Sequence, residues 1–288
     1  MAATVIWGNE LASKFREEMK LELEGLKKEG IEPGLTVVIV GEDPASKSYV
    51  KAKSKACEQI GIRSKVIELP ADTTEQEVVT VVQSLNKDET VHGILVQLPL
   101  PKQIREEVII ETISPEKDVD GFHPTTIGKM LTGQDTFFPC TPFGIVKMVQ
   151  SQNIPIEGKH VVVVGRSNIV GKPVGQLFLN ENATVTYCHS RTKNLKEITR
   201  QADILIVAVG RIHMITAEYV KEGAVVIDVG VNRKDDGKLT GDVDFASVEP
   251  VASYITPVPK GVGPMTITML LHNTIKAARL LEQKERIS

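Results

Sequence analysis

Six short apolar runs, separated by stretches of helical period, set the tightest limit on how this chain can fold. Leu35–Val40 reads LTVVIV and Gly93–Leu98 reads GILVQL. Val161–Val164, Thr184–Cys188, Ile204–Val209 and Ala224–Val229 follow. Runs this short and this continuously apolar suit strands buried on both faces. Strands that alternate with helical stretches, such as Thr73–Leu85 and Val174–Glu181, form a parallel sheet covered by helices. The expected fold class is therefore α/β.

The chain has 288 residues, enough for two domains. Between Ser114 and Gly144 the polar, turn-rich stretch SPEKDVDGFHP precedes Phe138–Phe143, where two prolines interrupt any helix. We expect an N-terminal three-layer catalytic domain over 1–122, a connection over 123–143, and a Rossmann-type nucleotide domain over 144–264. A cleft is expected between the two domains. Met265–Gln283 reads as one amphipathic helix opening behind Gly263 and Pro264, and segment 265–288 is expected to rejoin the first domain.

Lys and Arg number 34 and Asp and Glu 37, a net charge of -3. That balance weighs against a nucleic-acid partner held by bulk electrostatics. No run of ~18 apolar residues suggests a membrane span, and the N-terminus lacks a basic-then-apolar signal layout. A cytoplasmic protein is expected. Cys57, Cys140 and Cys188 are widely spaced, with no C-x-x-C, and the six histidines form no ligand spacing. Neither a disulfide framework nor a metal site is expected.

Asp43 and Pro44 mark a helix start and Gly61 a stop. At 100° per residue, Lys47, Lys51 and Lys55 share one face, while Tyr49, Val50, Lys53, Ala56, Cys57 and Ile60 share the other. Lys53 is thus the lysine among apolar neighbours, one turn from Tyr49. It either snorkels past a core edge or is a partly desolvated amine able to act as acid or base. Gln97 is an amide inside an apolar run, near the strand end where open α/β sheets bind ligands; it either serves such a site or hydrogen-bonds a neighbouring loop. Asp118 and Asp120 alternate in KDVDG and are expected to point apart; they serve either as caps or as site carboxylates.

VVVVGRSNIVGKP, from Val161 to Pro173, is a strand, a glycine turn and a helix start; it is either a dinucleotide phosphate site or a plain tight strand-to-helix turn. Ser167 takes the place of the second glycine in G-x-G-x-x-G, and Pro173 replaces the Ser or Thr of a Walker A loop. After the next strand an NAD site usually carries an acid. This chain has Ser190 and Arg191 there, with Arg166 in the first turn, which suits the 2′-phosphate of NADP.

Taken in order, Tyr49-x-x-x-Lys53, GILVQLPLP, PEKDVDGF, PCTP, VVVVGRSNIVGKP, GDVDF and ITPVPKGVGPMT resemble the bifunctional methylenetetrahydrofolate dehydrogenase/methenyltetrahydrofolate cyclohydrolase (FolD) family over nearly the whole chain. The resemblance implies a cytosolic homodimer. It also implies NADP-dependent oxidation of 5,10-methylenetetrahydrofolate to the 5,10-methenyl form, then hydrolysis to 10-formyltetrahydrofolate, with no metal. By the same resemblance Lys53 is the catalytic lysine, Tyr49 its neighbour, Gln97 its contact, and Asp120 the carboxylate that holds the pterin. Val96 and Leu98 flank Gln97 in the folate site, and Pro259, Lys260, Gly261, Val262 and Gly263 match the loop closing over it. Gly165, Arg166, Ser167, Ser190 and Arg191 match the NADP side, with Val231 near the nicotinamide.

Lys260 departs from the family's P-G-G-V-G; it either meets folate glutamyl carboxylates or is solvated. Two other readings remain at this stage: a monofunctional dehydrogenase, and a regulatory protein that binds NADP without turnover.

Overall fold

The computed structural model describes residues 2–285. In chain order the elements are β1 (Thr4–Val5), α1 (Gly8–Lys28), β2 (Gly34–Val40), α2 (Pro44–Ile60), β3 (Arg63–Leu69), α3 (Glu75–Lys87), β4 (Gly93–Val96), α4 (Glu106–Thr112) and α5 (Pro124–Leu131). There follow α6 (Cys140–Ser151), β5 (His160–Val164), α7 (Gly171–Asn180), β6 (Thr184–Cys188), α8 (Leu195–Thr199), β7 (Ile204–Val207) and β8 (Val225–Asp228). The last are β9 (Asn232–Arg233), β10 (Leu239–Thr240), α9 (Phe245–Val248), β11 (Tyr254–Ile255) and α10 (Val262–Glu285). The chain divides into two compact units. One joins Lys14–Cys140 to Ile267–Ser288, and the other joins Met1–Ser13 to Thr141–Thr266.

The unit containing Lys14–Cys140 is built on a parallel sheet of order β3-β2-β4. The central strand β2 is buried at every residue, as its LTVVIV run requires. Edge strand β3, RSKVIEL, alternates between exposed and half-buried positions, which is why it shows no continuous apolar run. Val38, Val40, Ile94 and Val96 pack with Val78, Val82 and Leu85 of α3 and with Ile109 of α4. The N-terminus of α3 is closed by a capping box between Thr74 and Glu77.

The other unit holds a parallel sheet of order β1-β11-β8-β7-β5-β6. Val162, Val164, Leu205, Val207 and Val226 supply its central core. The first residues of the chain belong here, not to a domain spanning 1–122, because β1 pairs with β11. Two-residue strands such as β1 and β11 are too short to leave a periodic signature.

Helix α2 forms as its ends dictate. The Asp43 carboxylate accepts the Ser46 N–H at 2.7 Å, Pro44 occupies the first turn, and Gly61 closes the helix at φ 92°. Its buried stripe is Ser46, Val50, Lys53, Ala56, Cys57 and Ile60. Tyr49, assigned to that face by the helical wheel, is 39% exposed instead. Ser46, not Tyr49, completes the stripe in the first turn.

Close packing at β4 exposes one sensitive point. A Cβ on Gly93 would lie 2.9 Å from both Val119 methyl carbons and 3.2 Å from Leu35 Cδ1. All three residues are buried, so nothing there yields without cost. Gly93→Ala is expected to destabilise this unit by ~1–3 kcal/mol, read as a lowered urea midpoint with unchanged slope.

Candidate active site

Three elements bring side chains to the carboxyl end of the β3-β2-β4 sheet. β2 and β4 pair Thr36 with Ile94, and an isolated parallel bridge pairs Ile94 with Asp118. The Ile94 N–H donates to the Lys117 carbonyl at 2.9 Å. Val38 pairs with Val96 at the end of β4, and Asp120 lies in the turn that follows the Asp118 bridge. Gln97 stands one position beyond β4, where its N–H donates to the Val38 carbonyl at 2.8 Å. The sheet order reverses between β2 and β4, so this is also the crevice where such sheets bind ligands.

Lys53 reaches this point from α2. It is buried, and its Nζ donates to Gln97 Oε1 at 3.0 Å. Gln97 Nε2 donates to the Leu98 carbonyl at 2.7 Å, which fixes the amide with its oxygen towards the amine. Burial pushes the Asp120 carboxyl above its ordinary range, and the nearby Lys53 charge opposes that shift. Asp118 has a different task. Its two oxygens accept the Phe122 and His123 N–H groups at 3.2 and 2.9 Å and hold the turn. Lys117 anchors the turn from behind, with Nζ donating to the Leu85 and Asp88 carbonyls at the end of α3.

Two further residues escaped the sequence reading as site components. Cys140 is buried beside Asp120, and burial raises its thiol far above the ordinary value, with the Asp120 charge adding to the shift. Asn273, on α10, is 1% exposed and donates to the Val119 and Phe138 carbonyls. The signal that marked Gln97, an amide inside an apolar stretch, was equally present in MLLHNTI. Tyr49 stands in the exposed part of α2.

In the six-stranded unit the strand order reverses between β5 and β7, and the glycine turn follows β5 at that point. Gly165 has φ 137°, and a Cβ there would lie 2.3 Å from the Ala208 carbonyl oxygen, so no other residue fits. Ser167 Oγ accepts the Val170 and Gly171 N–H groups, both at 3.2 Å, and so caps the start of α7. Arg166, Ser190 and Arg191 are exposed around this turn and the end of β6. These residues fit a dinucleotide. The glycine turn lets a diphosphate approach backbone N–H groups at a helix start, and two guanidinium groups with a hydroxyl suit an added phosphate.

The loops after β7 and β8 are ordered by a carboxylate knot. Buried Asp242 accepts the N–H groups of Val209, Gly210 and Arg211 at 2.7, 2.9 and 2.8 Å, and Asn232 Nδ2 at 2.8 Å. Asp228 accepts the backbone N–H groups of Gly230, Asp242 and Val243. Burial pushes Asp228 up to about 7 against those donors. Val231, within the second loop, is 49% exposed. Pro259, Lys260 and Gly261 form the loop before α10, whereas Val262 and Gly263, expected in that loop, open the helix; all five lie in this unit. Lys260 is exposed at φ 79°, and its carbonyl accepts the Asn9 N–H. Among the described residues, no group of three or more His, Cys, Asp or Glu side chains could hold a metal ion.

Two family models match the chain. One describes the tetrahydrofolate dehydrogenase/cyclohydrolase catalytic domain and matches residues 6–120. The other describes the NAD(P)-binding domain of the same enzymes and matches residues 139–282. The chain is 68% identical to the bifunctional protein FolD of Bacillus cereus, covering 97% of this chain and 98% of that one. Its structure is similar to that of the bifunctional FolD dehydrogenase/cyclohydrolase of Campylobacter jejuni, with TM-score 0.95 and 50% identity over 97% and 99% of the two chains. It is also similar to the Trypanosoma brucei FolD complexed with NADP cofactor and an inhibitor, with TM-score 0.93 and 38% identity over 97% and 98%.

The knot yields a direct test. Asp242→Ala leaves four N–H groups without their acceptor, each costing ~1–3 kcal/mol where water cannot enter. Amide hydrogen exchange at Val209, Gly210 and Arg211 is expected to accelerate at least about tenfold. Exchange within β5 should change far less.

Proposed function

The chain belongs to the tetrahydrofolate dehydrogenase/cyclohydrolase family, and we propose that Lys53, Gln97 and Asp120 form the site at which it works on folate. It is a bifunctional enzyme. It oxidises 5,10-methylenetetrahydrofolate to the 5,10-methenyl form with NADP and hydrolyses that product to 10-formyltetrahydrofolate. The observation that carries the site assignment is the buried Lys53 amine held at 3.0 Å by Gln97, with the Asp120 carboxyl close enough to feel its charge.

The residues divide the work by chemical type. Asp120 offers acceptor oxygens to the N–H edge of the pterin, as a carboxylate does for paired donors. Lys53 serves hydrolysis as a proton carrier. As the water oxygen bonds to the methenyl carbon, the amine takes a proton from it. As the carbon–nitrogen bond of the ring breaks, the amine returns that proton to the nitrogen, while the hydroxyl proton leaves to solvent and the formyl C=O forms. Gln97 aims the amine by accepting one of its N–H bonds. Val96, Leu98 and Tyr49 surround these groups as substrate contacts.

NADP, when bound, supplies the hydride acceptor for the oxidation. Gly165, Arg166 and Ser167 present the turn to its diphosphate, Arg166, Ser190 and Arg191 face the 2′-phosphate, and Val231 lies on the nicotinamide side. We further infer a cytoplasmic homodimer with no nucleic-acid or membrane partner. The small net charge weighs against a nucleic-acid partner, and among the described residues no helix is long and apolar enough to cross a membrane. Strand β6, at the sheet edge with Tyr187 40% exposed, favours association through that unit.

Lys53→Met is expected to lower hydrolysis of the methenyl compound by about 10²–10⁴-fold while leaving NADP affinity unchanged. Stopped-flow absorbance of the methenyl species and fluorescence titration of the cofactor read the two effects. Ser190→Asp places a carboxylate against the 2′-phosphate. It should raise the KM for NADP at least about tenfold and improve the use of NAD. A steady-state comparison of the two cofactors that left their ratio unmoved would remove Ser190 from the site.

A further inference from the structure

We propose that Asn273 is a positioning residue for Asp120, acting through the Val119–Asp120 peptide. Its side-chain amide carries two N–H bonds and uses both on backbone carbonyls. Nδ2 lies 2.8 Å from the Val119 oxygen and 3.0 Å from the Phe138 oxygen. The Val119 carbonyl belongs to the peptide bond that leads into Asp120, so fixing that oxygen fixes the plane from which the Asp120 side chain departs.

The second contact ties the same amide to the segment beneath. Gly121 has φ 75°, and a Cβ there would lie 2.7 Å from Pro139 N and 2.8 Å from the Phe138 carbonyl carbon. The turn therefore lies against residues 137–139 with no space between, and Asn273 bonds to both layers. Cys140 adds a third attachment, with Sγ donating to the Val119 oxygen at 3.3 Å and 3.7 Å from Asn273 Nδ2. Asp118 fixes the far side of the turn through Phe122 and His123. The backbone groups on either side of Asp120 are thus held by other side chains, and the Cys140 thiol lies against its carboxyl.

Burial makes this arrangement consequential. Asn273 is 1% exposed and Val119 is 0% exposed, so water does not replace a lost bond at this point. Without Asn273 the Val119 carbonyl keeps only the weaker thiol donor of Cys140, and the peptide plane that carries Asp120 is freed to rotate. The inference rests on Asp120 as the substrate anchor, and the experiment separates the two claims.

Tetrahydrofolate affinity is measured by calorimetry for the wild type, Asn273→Leu, Asp120→Ala and the double variant, with NADP affinity as a control. Positioning predicts a coupled cycle. Asn273→Leu raises the tetrahydrofolate Kd about tenfold when Asp120 is present and less than about twofold when Asp120 is already alanine. NADP affinity stays constant throughout. Asn273→Ser, whose short hydroxyl cannot span both carbonyls, replaces the leucine variant if that chain does not fold. An equal rise in both backgrounds, or none in either, overturns the positioning role and leaves Asp120 as anchor. Wild-type affinity in Asp120→Ala overturns the anchor reading itself, and the positioning role with it.

Discussion

The pairing of Lys117 and Asp118 with Ile94 is the constraint on which the proposed folate site depends. Lys53, Gln97 and Asp120 come from a helix, a strand end and a turn, with long stretches of chain between them. The parallel bridge between Ile94 and Asp118 sets the turn that carries Asp120 beside β4. The bridge is short, so its backbone bond is reinforced from both sides. Lys117 satisfies two carbonyls at the end of α3, and Asp118 gathers two N–H groups of the following turn. The side chains before and within the turn spend their polarity on backbone so that one carboxylate remains for a ligand.

That carboxylate is held at an energetic disadvantage. Desolvation outweighs the attraction of Lys53 and raises the Asp120 carboxyl above its ordinary range. A pair optimised for stability would show the reverse balance. Cys140 beside it is pushed further up by the same carboxylate. A ligand that brings N–H groups to Asp120 adds donors that offset this burial. Groups shifted by burial and by one another in a crevice are typical of functional sites. The same physics explains why Gln97 must be oriented: with its nitrogen committed to the Leu98 carbonyl, only its oxygen can face the amine.

Much of this was legible in the residues. Continuous apolar runs located β2, β4, β5, β7 and β8, because strands buried on both faces have no alternation to hide. Lys53 stood out because a lysine on an apolar helix face is conspicuous, and Gln97 for the same reason in a strand. The failures have physical causes too. Edge strand β3 alternates and is rich in polar residues. β1 and β11 are two residues long, so the assignment of the first residues to the other unit could not be seen. Tyr49 lay within the apolar arc of the wheel, yet Ser46 takes the buried place. Asn273 and Asp242 act on backbone groups far away in sequence, and a chain of letters does not show which carbonyls or N–H groups lack partners. The amide in MLLHNTI and the acid in GDVDF could have been flagged as buried polar residues, but not assigned their partners.

The two units solve recognition in different ways. On the three-stranded sheet, the groups proposed to meet the ligand are side chains, and their identity is the chemistry. On the six-stranded sheet, the glycine turn offers backbone N–H groups, and the nearby side chains mostly order that backbone. Ser167 illustrates the difference. It replaces a glycine of the usual fingerprint, but its hydroxyl caps the start of α7 by accepting from Val170 and Gly171. The longer loop therefore needs no second glycine: its backbone is held by a local side-chain bond instead of by conformational freedom. Gly165 has no such substitute, because the Ala208 carbonyl already occupies the space any Cβ would need. A fingerprint scored by letters weighs both positions alike, whereas the packing requires glycine at the first and tolerates serine at the second.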